Sequence, residues 1–221
     1  KKYLKMSNLV LEVKNLSHSY TSDVLSVDNV NIELHEGEKV SIRGPSGCGK
    51  SSLLRLIAGL EIPILGQIKL NGVIVSNKDH VLPPEKRKVG LVVQEKALFP
   101  HLTVVENICF GIKKEKNETQ ILKEMLELFR IQELANKYPH EISGGEQQRV
   151  AVARSMAPNP KFLMLDEPFS ALDNELKKSL YVDISDIFST KNSTILLVTH
   201  DEKEAEIMTN RHLEMHDGKL L

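Results

Sequence analysis

The stretch that most restricts what this chain can become is Gly44-Pro45-Ser46-Gly47-Cys48-Gly49-Lys50-Ser51, set between the short run Lys39 to Arg43 and a segment in which Leu53, Leu56, Ile57 and Leu60 recur at helical spacing. The pattern predicts a strand, a tight loop and a helix in immediate succession. In that setting a GxxxxGK[ST] loop is a phosphate cradle. Glycines let backbone N–H groups converge on phosphate oxygens, the helix N-terminus adds partial positive charge, and Lys50 brings a full charge to the β- and γ-phosphates. Ser51 offers a hydroxyl ligand for Mg²⁺, and Ser52 completes the nucleotide-binding stretch. Bare matches to the spacing also occur in Gly-rich turns, so the flanking strand and helix carry the specificity. Cys48 is read as a small tolerated residue. The loop alone does not separate one purine triphosphate from another.

Around this unit the periodicity changes. Leu9, Leu11 and Val13, then Val27, Val30, Ile32 and Leu34, alternate with polar residues as half-buried antiparallel strands do. Asn71-Gly72, flanked by Ile68, Leu70, Val73 and Val75, is a hairpin signal because both turn residues tolerate positive φ. From about Thr103 to Ala157 the pattern is helical, with Ile121, Leu122, Met125, Leu126, Leu128 and Phe129 as an amphipathic helix. Two continuous apolar runs follow, Phe162 to Leu165 and Thr194 to Val198, as expected of buried parallel strands. The expected organisation is a first part over 1–94, a helical insertion over 95–160 and a return to the core over 161–221.

The run Phe162-Leu163-Met164-Leu165 ends in Asp166-Glu167-Pro168, placing two carboxylates at the site-forming edge of an open α/β sheet. Asp166 can orient Mg²⁺ while Glu167 polarises an attacking water. A solvated acidic turn is the bland alternative. A second helix opening lies at Ile142-Ser143-Gly144-Gly145-Glu146-Gln147-Gln148-Arg149. Ser143 with Glu146 three residues on forms a capping box, and the paired glycines leave the backbone open to close approach by an anion.

These motifs, in this order and over nearly the whole chain, resemble the nucleotide-binding subunit of ABC transporters. The segment from Ile142 is similar to the family's LSGGQ signature, with Ile142 for the usual Leu and Glu146 as a familiar variant. The resemblance implies an α/β P-loop NTPase (RecA-like) core with an antiparallel β subdomain and an inserted α-helical subdomain. It implies ATP and Mg²⁺ as cofactors and ATP hydrolysis as the activity. Two such subunits, identical or paired, would each close Ser143, Gly144, Gly145 and Glu146 over ATP held by the other's loop. It further implies that Gln94 touches Mg²⁺ and the attacking water, that Asp173 crosses the dimer interface, and that His200 contacts the γ-phosphate. Tyr20 is implied to stack on adenine, with a strand-edge tyrosine packed on the core as the rival reading.

The stretch Leu82-Pro83-Pro84-Glu85-Lys86-Arg87-Lys88-Val89-Gly90, with Ala97-Leu98-Phe99-Pro100-His101-Leu102-Thr103-Val104, looks like importers of ferric ion, polyamine, sulfate, molybdate or sugar, ferric ion being nearest. In such systems transmembrane permease subunits are the partners, and Ala97 to Phe99 line the groove that receives them. With 29 Lys and Arg against 30 Asp and Glu there is no basic excess to favour nucleic acid. No apolar stretch approaches the roughly 20 residues that span a bilayer. The two cysteines, Cys48 and Cys109, fit a reducing compartment. The expected location is peripheral, on the cytoplasmic face of the inner membrane. A soluble ABC ATPase acting on DNA or ribosomes is the alternative of another class. It is disfavoured by the compact segment between Lys50 and Asp166, which has no sustained heptads, and by the presence of one Gly-rich loop rather than two.

Overall fold

The computed structural model describes residues 8–21, 24–94, 97–113, 115–170, 172 and 174–221, apart from the side chains of 174–176. Along the chain, β1 (Leu9–His18) and β2 (Val27–His35) precede β3 (Lys39–Arg43), which leads through the glycine-rich loop into α1 (Lys50–Ala58). Next come β4 (Leu65–Leu70), β5 (Val73–Asn77) and β6 (Val89–Val92), then α2 (Val104–Cys109), α3 (Glu118–Leu128) and α4 (Gly144–Met156). The chain returns through β7 (Phe162–Asp166), α5 (Asn174–Thr190), β8 (Ile195–Thr199) and α6 (Glu202–Met208) to the hairpin of β9 (Arg211–His216) and β10 (Lys219–Leu220).

Two sheets result. An antiparallel sheet has the order β2-β1-β4-β5, and the second has the order β10-β9-β3-β8-β7-β6. In the second, β9, β3, β8, β7 and β6 run parallel and only β10 is antiparallel. The β4–β5 turn holds Asn71 at φ 49° and Gly72 at φ 78°, the left-handed region expected of that pair. The alternation in β1 is less regular than the sequence implies: register shifts beside Leu11 and Leu16 leave both Val10 and Leu11 buried.

The apolar runs of β7 and β8 are continuous because each face of the sheet has its own core. Phe162, Met164, Leu196 and Val198 pack with α1 and the antiparallel sheet. Leu163, Leu165, Ile195 and Leu197 pack with residues of α2, α4 and α5 on the other side. Each such side chain contributes about 1.5–3 kcal/mol of transfer free energy, so the central strands are the best-anchored part of the fold.

The helix after the loop is shorter than its apolar spacing predicts. Gly59, at φ 81°, terminates α1 in the left-handed conformation, and Leu60 turns outward with 53% of its surface exposed rather than joining the buried face of Leu53, Leu56 and Ile57. The buried Arg87 completes this terminus. Its guanidinium donates to the carbonyls of Leu56 (3.2 Å) and Ile57 (2.8 Å) and also to Leu82 O, Val75 O and Ser76 Oγ. One side chain therefore ties the end of α1 to β5.

The topology places neighbouring strand ends together. Parallel strands β3, β8, β7 and β6 are adjacent, so the loop after β3, His200 after β8, Asp166 and Glu167 at the end of β7, and Gln94 beyond β6 share one edge.

Candidate nucleotide-binding site

The glycine-rich loop is held between two distant segments. A Cβ on Gly44 would lie 2.2 Å from the carbonyl oxygen of Met215 in β9, and one on Gly49 would lie 2.0 Å from that of Ser26, just before β2. Lys50 is 4% exposed, and its ammonium donates to the carbonyls of Gly44 and Pro45, both at 2.8 Å. It thus folds over its own loop, while Pro45, Ser46 and Gly47 face solvent and Ser52 is half-buried. Cys48 is buried, and its carbonyl accepts a 2.9 Å hydrogen bond from Gly218 N, so the side chain fills space beneath the loop.

Across the site, Ser51 Oγ donates to Asp166 Oδ1 at 2.9 Å, joining residues 115 positions apart. Burial pushes the Asp166 carboxyl up, and the Ser51 hydrogen bond opposes that. Glu167 adopts φ +43° and anchors its N–H to Val198 O at 2.9 Å. Its Oε2 stands 3.2 Å from His200 Nδ1. Gln94 is exposed two residues beyond the end of β6 at Val92, and it lines a cavity with Ser51, Arg55, Val93 and Asp166.

The hydroxyl, carboxylate and amide grouped here are hard oxygen donors of the kind Mg²⁺ prefers, and a buried carboxyl that favours its proton is readily ionised by an adjacent cation. Among the described residues no cluster of three or more His, Cys, Asp or Glu side chains could hold a metal. A cation at Ser51 and Asp166 would therefore complete its shell with water and nucleotide oxygens. The residues fit Mg²⁺ on those terms.

At the start of α4, Ser143 Oγ accepts from Glu146 N (3.4 Å) and Glu146 Oε2 accepts from Ser143 N (2.7 Å), which closes the expected capping box. The Ser143 N–H, and after it the Ser143 hydroxyl, hold the Glu146 carboxyl below its usual range. Ser143 is exposed and Gly144 is partly so. Among the described residues no hydrogen bond or ion pair joins 143–146 to 44–52. Asp173 lies outside the described residues. Tyr20 is 54% exposed, which overturns the core-packed reading; its ring meets His18 edge-on at 4.8 Å, beyond the end of β1. It belongs to the same β1–β2 connection as Ser26, whose carbonyl abuts Gly49.

Two supports were not read from the sequence. The fully buried Asn107 of α2 accepts from Phe99 N and donates to Phe99 O, Leu102 O and Thr103 O, fixing the turn ahead of its own helix. Arg154 donates to Ala97 O and lies 5.2 Å above the Phe99 ring, which also meets Phe110 at 4.4 Å. A polar residue at a core position of the apolar run Val104 to Cys109 was the available signal for Asn107.

A glycine-rich strand–loop–helix unit beside an apolar strand ending in two acids defines this molecule as a P-loop NTPase fold. Within that class, a family model described as "ABC transporter" matches residues 27–170, and the chain belongs to that family. It is 44% identical over 216 residues to the putrescine transport ATP-binding protein PotG of Escherichia coli, a match covering 96% of this chain and 56% of that protein. It is 41% identical over 211 residues to the Fe(3+) ions import ATP-binding protein FbpC of Mesorhizobium japonicum, covering 95% and 58%. The chain therefore spans little more than half the length of these relatives. Among solved structures it resembles the dimeric form of MJ0796, described as a bacterial ABC transporter cassette, with a TM-score of 0.82, 30% identity and coverage of 95% and 96%. A second structure of MJ0796, in a post-hydrolysis state bound to ADP and Pi, superposes with a TM-score of 0.80 at 30% identity, covering 95% of this chain and 96% of that one.

Proposed function

We propose that this chain is the ATP-binding and ATP-hydrolysing part of an ABC importer, acting as one of a pair and driving separate membrane-spanning subunits. The observation that carries the proposal is the shared sheet edge on which Ser51 bonds Asp166 and Glu167 faces His200. The loop N–H groups and Lys50 bind the β- and γ-phosphates, which compete for the ammonium now donated to Gly44 O and Pro45 O. Ser51, Asp166 and Gln94 would hold Mg²⁺, which would supply charge neutralisation at the phosphate oxygens. Glu167 accepts the proton of the attacking water, and His200 is placed to orient it or to meet the γ-phosphate. Tyr20 stacks on the adenine and Asp173 approaches the partner. The α4 opening, Ser143 to Glu146, with Ser143 exposed, closes on nucleotide held by the second copy, a reading supported by the dimeric MJ0796 structure.

No helix among the described residues is long and apolar enough to cross a membrane. That suits a subunit docked at the cytoplasmic face through the Ala97 to Phe99 turn. The relatives' names support a polyamine as cargo alongside the ferric ion expected from the sequence, the polyamine ATP-binding proteins PotG and PotA at 44% and 40% identity standing either side of FbpC at 41%. The test of the central proposal is Glu167→Gln. It should bind ATP, lose most turnover and accumulate as an ATP-dependent dimer in size-exclusion chromatography. Unchanged turnover would remove Glu167 from its role.

A further inference from the structure

Beneath the sheet edge lies an acid that the scheme above leaves unused. Glu204, in the first turn of α6, is 3% exposed, and its Oε2 accepts a 2.6 Å hydrogen bond from Thr199 Oγ1. That same hydroxyl oxygen accepts from Asp201 N at 2.9 Å. The Asp201 carboxylate accepts from Lys203 N (2.9 Å) and Glu204 N (3.2 Å) and takes the Tyr181 hydroxyl at 3.2 Å. Residues 199, 201 and 204 therefore form a hydrogen-bonded clasp around the one residue they bracket, His200, whose Nδ1 stands 3.2 Å from Glu167.

We propose that Glu204 is a positioning residue for hydrolysis: acting through Thr199 Oγ1, it clamps both backbone flanks of His200 and so fixes the imidazole against Glu167. The inference rests on the proposed ATPase reaction. Capping alone does not explain the arrangement, because Asp201 already caps α6 and a helix needs no buried acid behind its cap. Nor does ordinary packing, because among the described residues Glu204 Oε1 is buried without a hydrogen-bond partner, a placement that costs free energy unless something else requires it. The titratable groups facing Glu204 are Asp201 at the cap of its own helix, Lys177 and the neutral Tyr181 hydroxyl on α5, and Glu167 after β7. Burial pushes its carboxyl up to about 8, so near neutrality the clasp is built on the uncharged acid. Ionisation would strand a negative charge in a buried place beside Asp201 and Glu167; the Thr199 hydrogen bond favours that charge but burial outweighs it, so the carboxylate is drawn towards water and out of the clasp.

The test uses the full-length protein, with its membrane subunits where turnover requires them. Glu204→Ala should lower kcat by about 10- to 100-fold, the cost of misplacing a reacting group by about an ångström, with KM for ATP within about twofold. Thr199→Val, which keeps the shape of the side chain, should do the same. Glu204→Gln should rescue most of the loss at pH 7 and abolish a decline in kcat that the wild type shows as pH rises through about 8. Combining Glu204→Ala with His200→Ala should be no worse than His200→Ala alone. Additive losses, a KM that rises in step with the fall in kcat, or an unchanged alkaline decline in Glu204→Gln would overturn the proposal. If the wild type fails to hydrolyse ATP, the reaction reading falls by itself. The clasp is then judged by the His200 ring resonances in NMR, which should shift in Glu204→Ala, and unmoved resonances refute it.

Discussion

Substituting alanine at Gly47 and at Gly49 separates two costs that glycine-rich loops usually confound. Both residues have positive φ, 82° and 108°, so each alanine meets roughly 1–2 kcal/mol of left-handed backbone strain. Only Gly49 is also enclosed. Its added Cβ would sit 2.0 Å from the Ser26 carbonyl oxygen, whereas real Cβ atoms essentially never come closer than 3.0 Å, and at Gly47 none of the described residues lies within 4 Å. The backbone of the β1–β2 connection or of the loop must therefore open by about 1 Å in Gly49→Ala, an overpacking cost of about 1–3 kcal/mol beyond the strain. For a domain of this size that excess lowers Tm by about 2–12 °C relative to Gly47→Ala. Thermal unfolding without nucleotide reads the stability difference, since Gly47 belongs to the proposed phosphate loop and bound nucleotide would add its own contribution. Calorimetric titration with ATP then reports whether the opened loop still binds. Equal Tm losses in the two variants would refute the claim that Ser26 braces the loop.

Three further outcomes follow from the same geometry. Asn107→Ala leaves three carbonyls and the Phe99 N–H short of a partner, so it should cost about 2–4 kcal/mol in urea unfolding and speed amide exchange at Phe99; unaltered exchange there would show that the turn stands without it. Lys50→Ala should weaken ATP binding by at least about 10-fold, as loss of a charge-assisted phosphate contact does, and normal affinity by calorimetry would contradict the phosphate-cradle reading. For Glu204, a folded-state value near 8 against 4.5 for the free group means the native protein keeps a proton that the unfolded chain has already released. Its stabilising contribution is complete below about pH 4.5 and is lost as pH rises towards 8. The Tm advantage of Glu204→Gln over the wild type should therefore be larger at pH 9 than at pH 5, and a constant difference would argue against the buried neutral acid.

Much of the site was legible because its signals are local. A loop spacing, an apolar run closed by two acids and an Asn-Gly turn each specify backbone geometry within about ten residues, where the chain's covalent connectivity does the positioning. The same local rules misjudged Leu60, because the left-handed conformation at Gly59 ends α1 before the apolar spacing does. They were silent on Arg87 and Glu204, whose spacing resembles that of ordinary surface residues and whose importance comes from what is buried around them, and the signal at Asn107, a polar residue at a core position, did not say what it would bind.

The sequence by itself singled out the groups proposed for phosphate, metal and proton chemistry, and the antiparallel and parallel character of the strands that bear them. Only the tertiary structure decided that Ser51 reaches Asp166 across 115 residues, that Met215 and Ser26 close on the glycines, and that a clasp from β8 and α6 holds His200 beside Glu167. Periodicity reports which face of an element is apolar, whereas strand order and helix packing determine which distant faces meet.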